Sequence, residues 1–356
     1  MITLVLTNRN RNLRIVKNCL DSLQVQSNLS FQVILVDYGS EEIYLASLIK
    51  LVDCYGFIKF ISCPVKKQLW NKSRAINIAL QKCDTDYFFV ADIDMIFDDD
   101  FIEKLNSVKN ENEVVYFQVG FLSENESKRN KPFNDYTIKH VSEKEATGMT
   151  LYPTDLLKSI NGYDEFYHGW GAEDTDVHVR LRNKNVKVSF YNDQIFILHQ
   201  WHPKSYRSKN SLEPFHSHLE IINHQYIQQI QNAGIVKANS NFQWGILPLH
   251  NDYLRLNNPD YTISLTNDQN DIEAFLSGIL LNLKDLVINV NIVRHPSYKT
   301  IKNKLKKISG KKHYQFLSFD QINDSILLTI VSCLRNQPYE YKYSRMEEII
   351  NLKIKL

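Results

Sequence analysis

The first half of this 356-residue chain predicts a mixed α/β fold, a mainly parallel sheet flanked by helices, followed by a smaller α/β module. Three observations carry that prediction. Short β-branched runs alternate with helical ones from the first residues onward. The run DYFFVADIDMIF (86–97) is too continuously apolar for a sheet with one wet face. Beyond Gly234 the chemistry-bearing residues thin out, which divides the chain into 1–235 and an accessory region 236–356.

Each element follows in order. ITLVLT opens the chain as a strand, and Leu13, Val16, Leu20 and Leu23 then recur at helical spacing. FQVILVDYGS is a second strand ending in turn residues; IYLASLIKLVDCYG is a helix stopped by Gly56, and FIKFISC a third strand. NKSRAINIALQKC is a helix and 86–97 a single buried strand. Residues 123–136, polar and rich in breakers, predict a surface loop, and KSYRSKNS (204–211) a connector. Leu219, Ile222, Tyr226, Ile227 and Ile230 mark an amphipathic helix ending at Gly234. Further on, LVINVNIV and KHYQFLSF predict strands, DSILLTIVSCLRN a helix, and KNKLKKISGKK (302–312) is a basic run.

Composition narrows the function. Hydrophobic residues make up 43 % and charged ones 23 %, enough for an ordinary core. A net charge of +2 gives no broad basic field, so nucleic acid is not an expected partner. Five scattered cysteines without a CxxC pair predict free thiols in a reducing compartment. Neither a signal peptide nor a stretch of the roughly 20 apolar residues that span a bilayer is evident. The expectation is a cytoplasmic protein, with peripheral membrane contact possible at most.

Two acidic segments stand out. In ADIDM, Asp92 and Asp94 are two apart, so on an extended backbone both face one side and can share a hard cation. The bland alternative is a turn with capping aspartates. Asp98, Asp99 and Asp100 fit a solvated cap for a helix from Phe101, and Met95 and Ile96 exclude an EF-hand. In GYDEFYHGWGAEDTDVHVRL, Gly162, Gly169 and Gly171 permit unusual turns and Trp170 offers a flat platform for a sugar face. Glu173, Asp174 and Asp176 then open a helix, where they gain from its dipole even without a catalytic role.

Taken together, NKSRAINIALQ, FFVADIDM, TGMTLYPTDLLKSINGYDEFYHGWGAEDTDVHVRL and FILHQWHP occur in the order found in one family. Residues 1–202 resemble nucleotide-sugar glycosyltransferases of the GT-A fold (Rossmann-like, nucleotide-binding), family 2-like, of the galactosyltransferase and chondroitin-synthase type.

That resemblance implies a set of roles. Asp94 ligates a divalent cation, Mn2+ or Mg2+, with His199 as a further ligand and Asp92 and His202 ranked behind them. An imidazole beside a carboxylate suits Mn2+ better than Mg2+, although a histidine at a strand end is often only a hydrogen-bonding residue. HxxH also raises zinc, without a third ligand of the usual spacing. Asp37 reads the uracil base, with Tyr38 in place of the usual second acid, and Thr7 and Arg9 line the nucleoside pocket. Lys72 and Arg74 face the diphosphate, unless they are exposed helix residues. Asp174 is the catalytic base and Glu173 holds sugar hydroxyls; Trp170 and Gly171 shape the sugar site. His168 stands where a second tryptophan is usual, and Gly148 and Met149 lie near the donor sugar. The segment Tyr167–Gly171 is a candidate closing loop.

The implied reaction is a metal-dependent, inverting transfer of a hexose or N-acetylhexosamine from a UDP-sugar to a hydroxyl of a glycan or glycolipid, in surface polysaccharide synthesis. A nucleotidylyltransferase is disfavoured because TNRNRN holds no glycine. A decayed, non-catalytic sugar-binding protein is the other alternative. The basic run 302–312 reads first as a solvated lysine face.

Overall fold

The computed structural model describes residues 1–203 and 214–356; the expected connector at 204–211 lies outside the described residues. The chain forms two compact units. One comprises Met1–Cys63, Trp70–Ser205 and Glu220–Leu247, the other Pro64–Leu69, Tyr206–Leu219 and Pro248–Leu356. The first runs on beyond the expected break at 235 because 238–245 is bonded into it. Ala238 N–H donates to Ile160 O, Glu165 N–H to Asn239 Oδ1, and Gly245 N–H to Glu165 Oε1.

The first unit begins β1 (Ile2–Asn8), α1 (Leu13–Gln24), β2 (Phe31–Tyr38), α2 (Glu42–Val52), β3 (Ile58–Cys63), α3 (Lys72–Gln81) and β4 (Tyr87–Asp92). It continues through β5 (Met95–Phe97), α4 (Phe101–Ser107), β6 (Glu113–Phe117), β7 (Gly120–Leu122), α5 (Glu124–Ser127), β8 (Ile138–Val141) and β9 (Thr150–Pro153). Then come α6 (Thr154–Ser159), α7 (Glu173–Asn183), β10 (Lys187–Tyr191), β11 (Ile197–His199) and α8 (Leu219–Asn232). Seven strands pair in the order β10-β6-β9-β4-β1-β2-β3. β1 runs parallel to β2 and β4, and β2 to β3, whereas β9 is antiparallel to both β4 and β6. This is the mixed, mainly parallel sheet expected. Its core buries Leu4, Leu6, Val33, Leu35, Phe89 and Ala91, with Val16, Leu20 and Leu23 of α1 packed in the same cluster. In such a sheet the strands' carboxyl ends are the natural ligand edge.

The segment 86–97 is not one strand. It turns at Ile93–Asp94, and β5 leaves for a second sheet, β5-β11-β7-β8. Continuous hydrophobicity hid the break, since both halves are buried in different sheets. The expected loop 123–136 is also ordered differently. Ser123 caps α5, and Glu126 is nearly buried while accepting from Lys131 at 2.8 Å and pairing with Arg129 at 3.1 Å. Asp98, expected in solvent, is buried and its Oδ1 accepts from Asp100 N–H, so Asp100 takes the cap position without a side-chain bond.

The second unit carries α9 (His250–Arg255), β12 (Tyr261–Thr266), α10 (Gln269–Ala274), β13 (Val287–Val293), α11 (Ile301–Ile308), α12 (Phe319–Cys333), β14 (Tyr339–Ser344) and β15 (Ile349–Lys355). Its sheet has the order β12-β13-β15-β14, with α12 burying Ile322, Ile326 and Ile330. KHYQFLSF is not a strand. It forms a single bridge, Phe316 to Asp268, and is otherwise held by Gln315 O and Tyr314, which bond to residues of α10 and α11. Among the described residues, no helix is long and apolar enough to cross a membrane, and all five cysteines are free.

Candidate active site

The parallel strands bring three candidates to one edge. Asn8 is in register with Asp37, and Thr7 with Asp92. Asp37 is fully buried; Oδ1 accepts from Asn8 Nδ2 and Ser40 Oγ at 2.6 Å each, and Oδ2 from Ser40 N–H at 3.1 Å. Burial raises its pKa, against those bonds and the nearby charge of Arg9. The carboxylate therefore shows no solvent-facing edge, and Asn8 stands beside it. Tyr38 is buried edge-on to Trp70 at 6.0 Å.

Lys72 opens α3, whose N-cap Asn71 accepts from Arg74 N–H at 2.8 Å. Its ammonium lies 3.0 Å from Asp92 Oδ1, 3.0 Å from Asp174 Oδ2 and 3.6 Å from Glu173 Oε1. Neither Lys72 nor Arg74 is an exposed helix residue. Burial opposes charge on Lys72, but the three carboxylates outweigh it and hold the ammonium protonated. Arg74 is buried, 4.0 Å from Glu165 and donating to Ile246 O. Both side chains are thus turned toward carboxylates and carbonyls.

The two acidic segments converge at Lys72. Burial, opposed by Lys72, raises the Asp92 pKa; burial and the neighbouring Asp174 push Glu173 up to about 7. Asp174 lies under Gly148, where a Cβ would come within 3.3 Å of Oδ2. Its other oxygen, Oδ1, is buried with no hydrogen-bond partner among the described residues. Met149, next to Gly148, is a core residue.

The turn before α7 holds these acids in place. Gly171 has φ +100° and Ala172 φ 73°, a left-handed entry that glycine admits readily. A single amide, Asn223 Nδ2 of α8, donates to His168 O, Trp170 O and Gly171 O at 3.1–3.3 Å. Trp170 is 47 % exposed. The expected closing loop is anchored at its start. Tyr167 is buried with its hydroxyl donating to Asp176, His168 is buried against Asn71, and Gly169 N–H donates to Trp70 O. Of that stretch only Gly169 and Trp170 are exposed. Beneath the turn, Asp176 and Arg180 form a wholly buried ion pair at 2.7 Å, and the guanidinium also donates to Ile160 O and Gly162 O.

Asp94 sits apart from Lys72, with another set of partners. Because β5 pairs antiparallel with β11, His199 falls opposite Met95, next to Asp94. His202 Nε2 is 3.1 Å from Asp94 Oδ2, Arg11 3.2 Å from the same oxygen, and His199 Nε2 3.8 Å from Oδ1. Burial pushes the Asp94 pKa up, yet the hydrogen bond from His202 and the charges of His199 and Arg11 prevail and hold it below the usual range. Burial lowers the His199 pKa, against the opposing charge of Asp94. One donor atom each from Asp94, His199 and His202 lies within 4.8 Å of the others, and Asp94 Oδ1 has no hydrogen-bond partner among the described residues. A buried orphan oxygen beside two imidazoles fits a divalent cation that accepts both nitrogen and oxygen, as Mn2+ does. His202, ranked behind His199 from the sequence, is the nearer of the two to Asp94.

Arg11 and Asn223 escaped the sequence reading. Arg11 lies in a polar loop, and Asn223 lies 52 residues or more from the carbonyls it binds, so no spacing marks either. A second histidine group, His216, His218 and Asp324, belongs to the other unit. There His216 Nδ1 accepts from His218 N–H at 3.1 Å, and its Nε2 is buried with no hydrogen-bond partner among the described residues.

The model for glycosyl transferase family 2 matches residues 3–160, and that for the N-terminal domain of galactosyltransferase matches residues 128–202. Chondroitin sulfate synthase 3 of Homo sapiens is 27 % identical over 152 residues, covering 39 % of this chain and 17 % of that protein. The Mus musculus protein is 25 % identical over 191 residues, covering 50 % and 21 %. The chain thus matches about a fifth of the length of these curated relatives. Among solved structures, GalNAc-T7 with UDP, GalNAc and Mn2+ aligns at TM-score 0.47 and 13 % identity over 65 % of this chain and 48 % of its own. S. aureus TarS 1-349 in complex with UDP aligns at 0.47 and 13 % over 96 % and 94 %. Residues 3–160 of this chain are thus similar to glycosyl transferase family 2, and residues 128–202 to the galactosyltransferase domain, with chondroitin sulfate synthase 3 among the relatives.

Proposed function

We propose that the first unit transfers a hexose or N-acetylhexosamine from a UDP-sugar to a hydroxyl of a glycan or glycolipid, with inversion and with a divalent cation bound at Asp94. The observation that carries this is the Asp174 carboxylate: Oδ2 is anchored by Lys72 and Oδ1 is buried and open. A carboxylate so held can take a proton without losing its position.

In this reading Asp94, His199 and His202 hold Mn2+ or Mg2+, with Asp92 in support. A bound cation would neutralise charge growing on the departing diphosphate. Asp174 accepts the proton of the acceptor hydroxyl as that oxygen bonds to the anomeric carbon. The bond from that carbon to the phosphate oxygen breaks, and its electron pair leaves with UDP. One base and one displacement give inversion, whereas a glycosidase brackets the bond with two carboxyls and uses water. Glu173, with a pKa of about 7, can both donate to and accept from sugar hydroxyls near neutrality. Trp170 and Gly171 shape the acceptor side, and Thr7, Arg9 and Asp37 the nucleoside end. Lys72 organises the carboxylates, and Arg74 backs α3 through Glu165. The second unit is accessory. Free cysteines support a cytoplasmic setting, and a glycan product supports surface polysaccharide synthesis.

The test is UDP release from a panel of UDP-sugars with Mn2+, with and without oligosaccharide acceptors. Transfer predicts UDP release that depends on both metal and acceptor. Pyrophosphate release from UTP would instead mark a nucleotidylyltransferase, and UDP binding with no turnover on any donor a decayed site.

A further inference from the structure

We propose that α11 is a docking element for an anionic membrane surface. The helix presents its apolar side outward. Ile301, Leu305 and Ile308, at i, i+4 and i+7, share one face and are 75 %, 59 % and 83 % exposed. The opposite face is the anchored one. Asn303 Nδ2 donates to Tyr314 O, and Tyr314 N–H donates back to Asn303 Oδ1, each at 3.0 Å. A helix serving only its own fold turns its aliphatic stripe inward and its polar residues out. Here the polar residue is the tether and the stripe is left to solvent, the arrangement of a helix lying in a membrane interface.

Charge says what covers the stripe. No Asp or Glu stands between Asp285 and Asp320, while eight Lys or Arg do. Arg294 and Lys299 are engaged by Glu348. Lys302, Lys304, Lys306, Lys307, Lys311 and Lys312 enter no ion pair among the described residues. Lys302 and Lys304 flank the stripe, placed to reach lipid phosphates as the aliphatic side chains enter the acyl boundary. Lys304 and Lys307 also line a pocket of about 420 Å³ with Lys299, Tyr298, His313 and Tyr314, which could receive a soluble acidic glycan. Such a ligand has no use for three aliphatic residues turned away from the pocket, so the bilayer is the occupant favoured. This proposal does not depend on the transferase reading.

Co-sedimentation of the full chain with vesicles tests it. Vesicles containing phosphatidylglycerol should pellet the protein, pure phosphatidylcholine should not, and added salt should release it. The triple variant Ile301→Asn, Leu305→Asn, Ile308→Asn should partition roughly tenfold more weakly, and Lys302→Gln with Lys304→Gln should lower the preference for phosphatidylglycerol. Circular dichroism establishes that each variant is folded; these side chains are exposed. The proposal is overturned if the wild-type chain ignores phosphatidylglycerol vesicles. It is equally overturned if the folded triple variant pellets like wild type, or if polygalacturonate captures both chains alike and only the lysine changes matter.

Discussion

Lys72 Nζ donates to Asp174 Oδ2 at 3.0 Å across 102 residues of sequence. The same ammonium stands 3.0 Å from Asp92. A strand end and a helix start are therefore fastened by one cation. Lys72→Met leaves three clustered carboxylates without it and should cost about 3 kcal/mol in urea unfolding, with Lys72→Arg recovering part of the loss. An unchanged midpoint in Lys72→Met would show that the bridge does not organise the site.

Asp174→Asn keeps the shape of the side chain and removes its basicity. Turnover should fall by about 10²- to 10⁴-fold, while UDP affinity measured by calorimetry stays within about twofold of wild type. Near-normal transfer by this variant would remove Asp174 from the role of base.

The Asp94 cluster makes a metal prediction. Asp94→Asn and His202→Ala should each weaken Mn2+ binding by about 10- to 100-fold in titration calorimetry, and chelation should abolish turnover reversibly. His199→Ala should act in the same direction. Unaltered Mn2+ affinity in all three variants would place the cation elsewhere.

Glu173 gives a pH dependence whose sign is fixed. Its folded pKa, about 7, exceeds the ordinary carboxylate value of 4.5, so between those values the folded chain binds the proton more tightly. The contribution is full below the unfolded pKa and is lost as pH rises through the folded one. Glu173→Gln should flatten the fall in stability between about pH 4.5 and 7 and leave the variant more stable than wild type at pH 8, by at most about 3 kcal/mol. Parallel melting curves for the two proteins across that window would refute it.

Arg180 and Asp176 form the buried pair under the glycine turn. Arg180→Met strands a carboxylate with no access to water, since both side chains are 0 % exposed. A loss of about 3–5 kcal/mol follows, read from thermal or urea unfolding. A loss below about 1 kcal/mol would mean that the turn is held by Asn223 and Tyr167 instead.

The alternation from β1 to β4 was legible because each element's hydrophobic period is local to it, and so were the acidic residues that follow Trp170 at the start of α7. The turn at Ile93–Asp94 was not, since apolar residues flank it and the chain passes between two buried sheets. KHYQFLSF has strand composition yet is taken by side-chain and backbone bonds from α10 and α11, because tertiary context overrides β propensity. Arg11 beside Asp94 and Asn223 beneath the tryptophan turn carry no periodic or motif signal.

By itself, then, the sequence determined the α/β class, the strand ends where the candidate site residues gather, and which residue types are present to do chemistry. Only the tertiary structure decided which side chains meet: that Lys72 faces three carboxylates, that His202 reaches Asp94, and that the stripe of α11 faces water. Hydrophobic periodicity is set over a few residues and can be read along the chain. Contacts between distant residues depend on how whole elements pack, and that packing has no local signature.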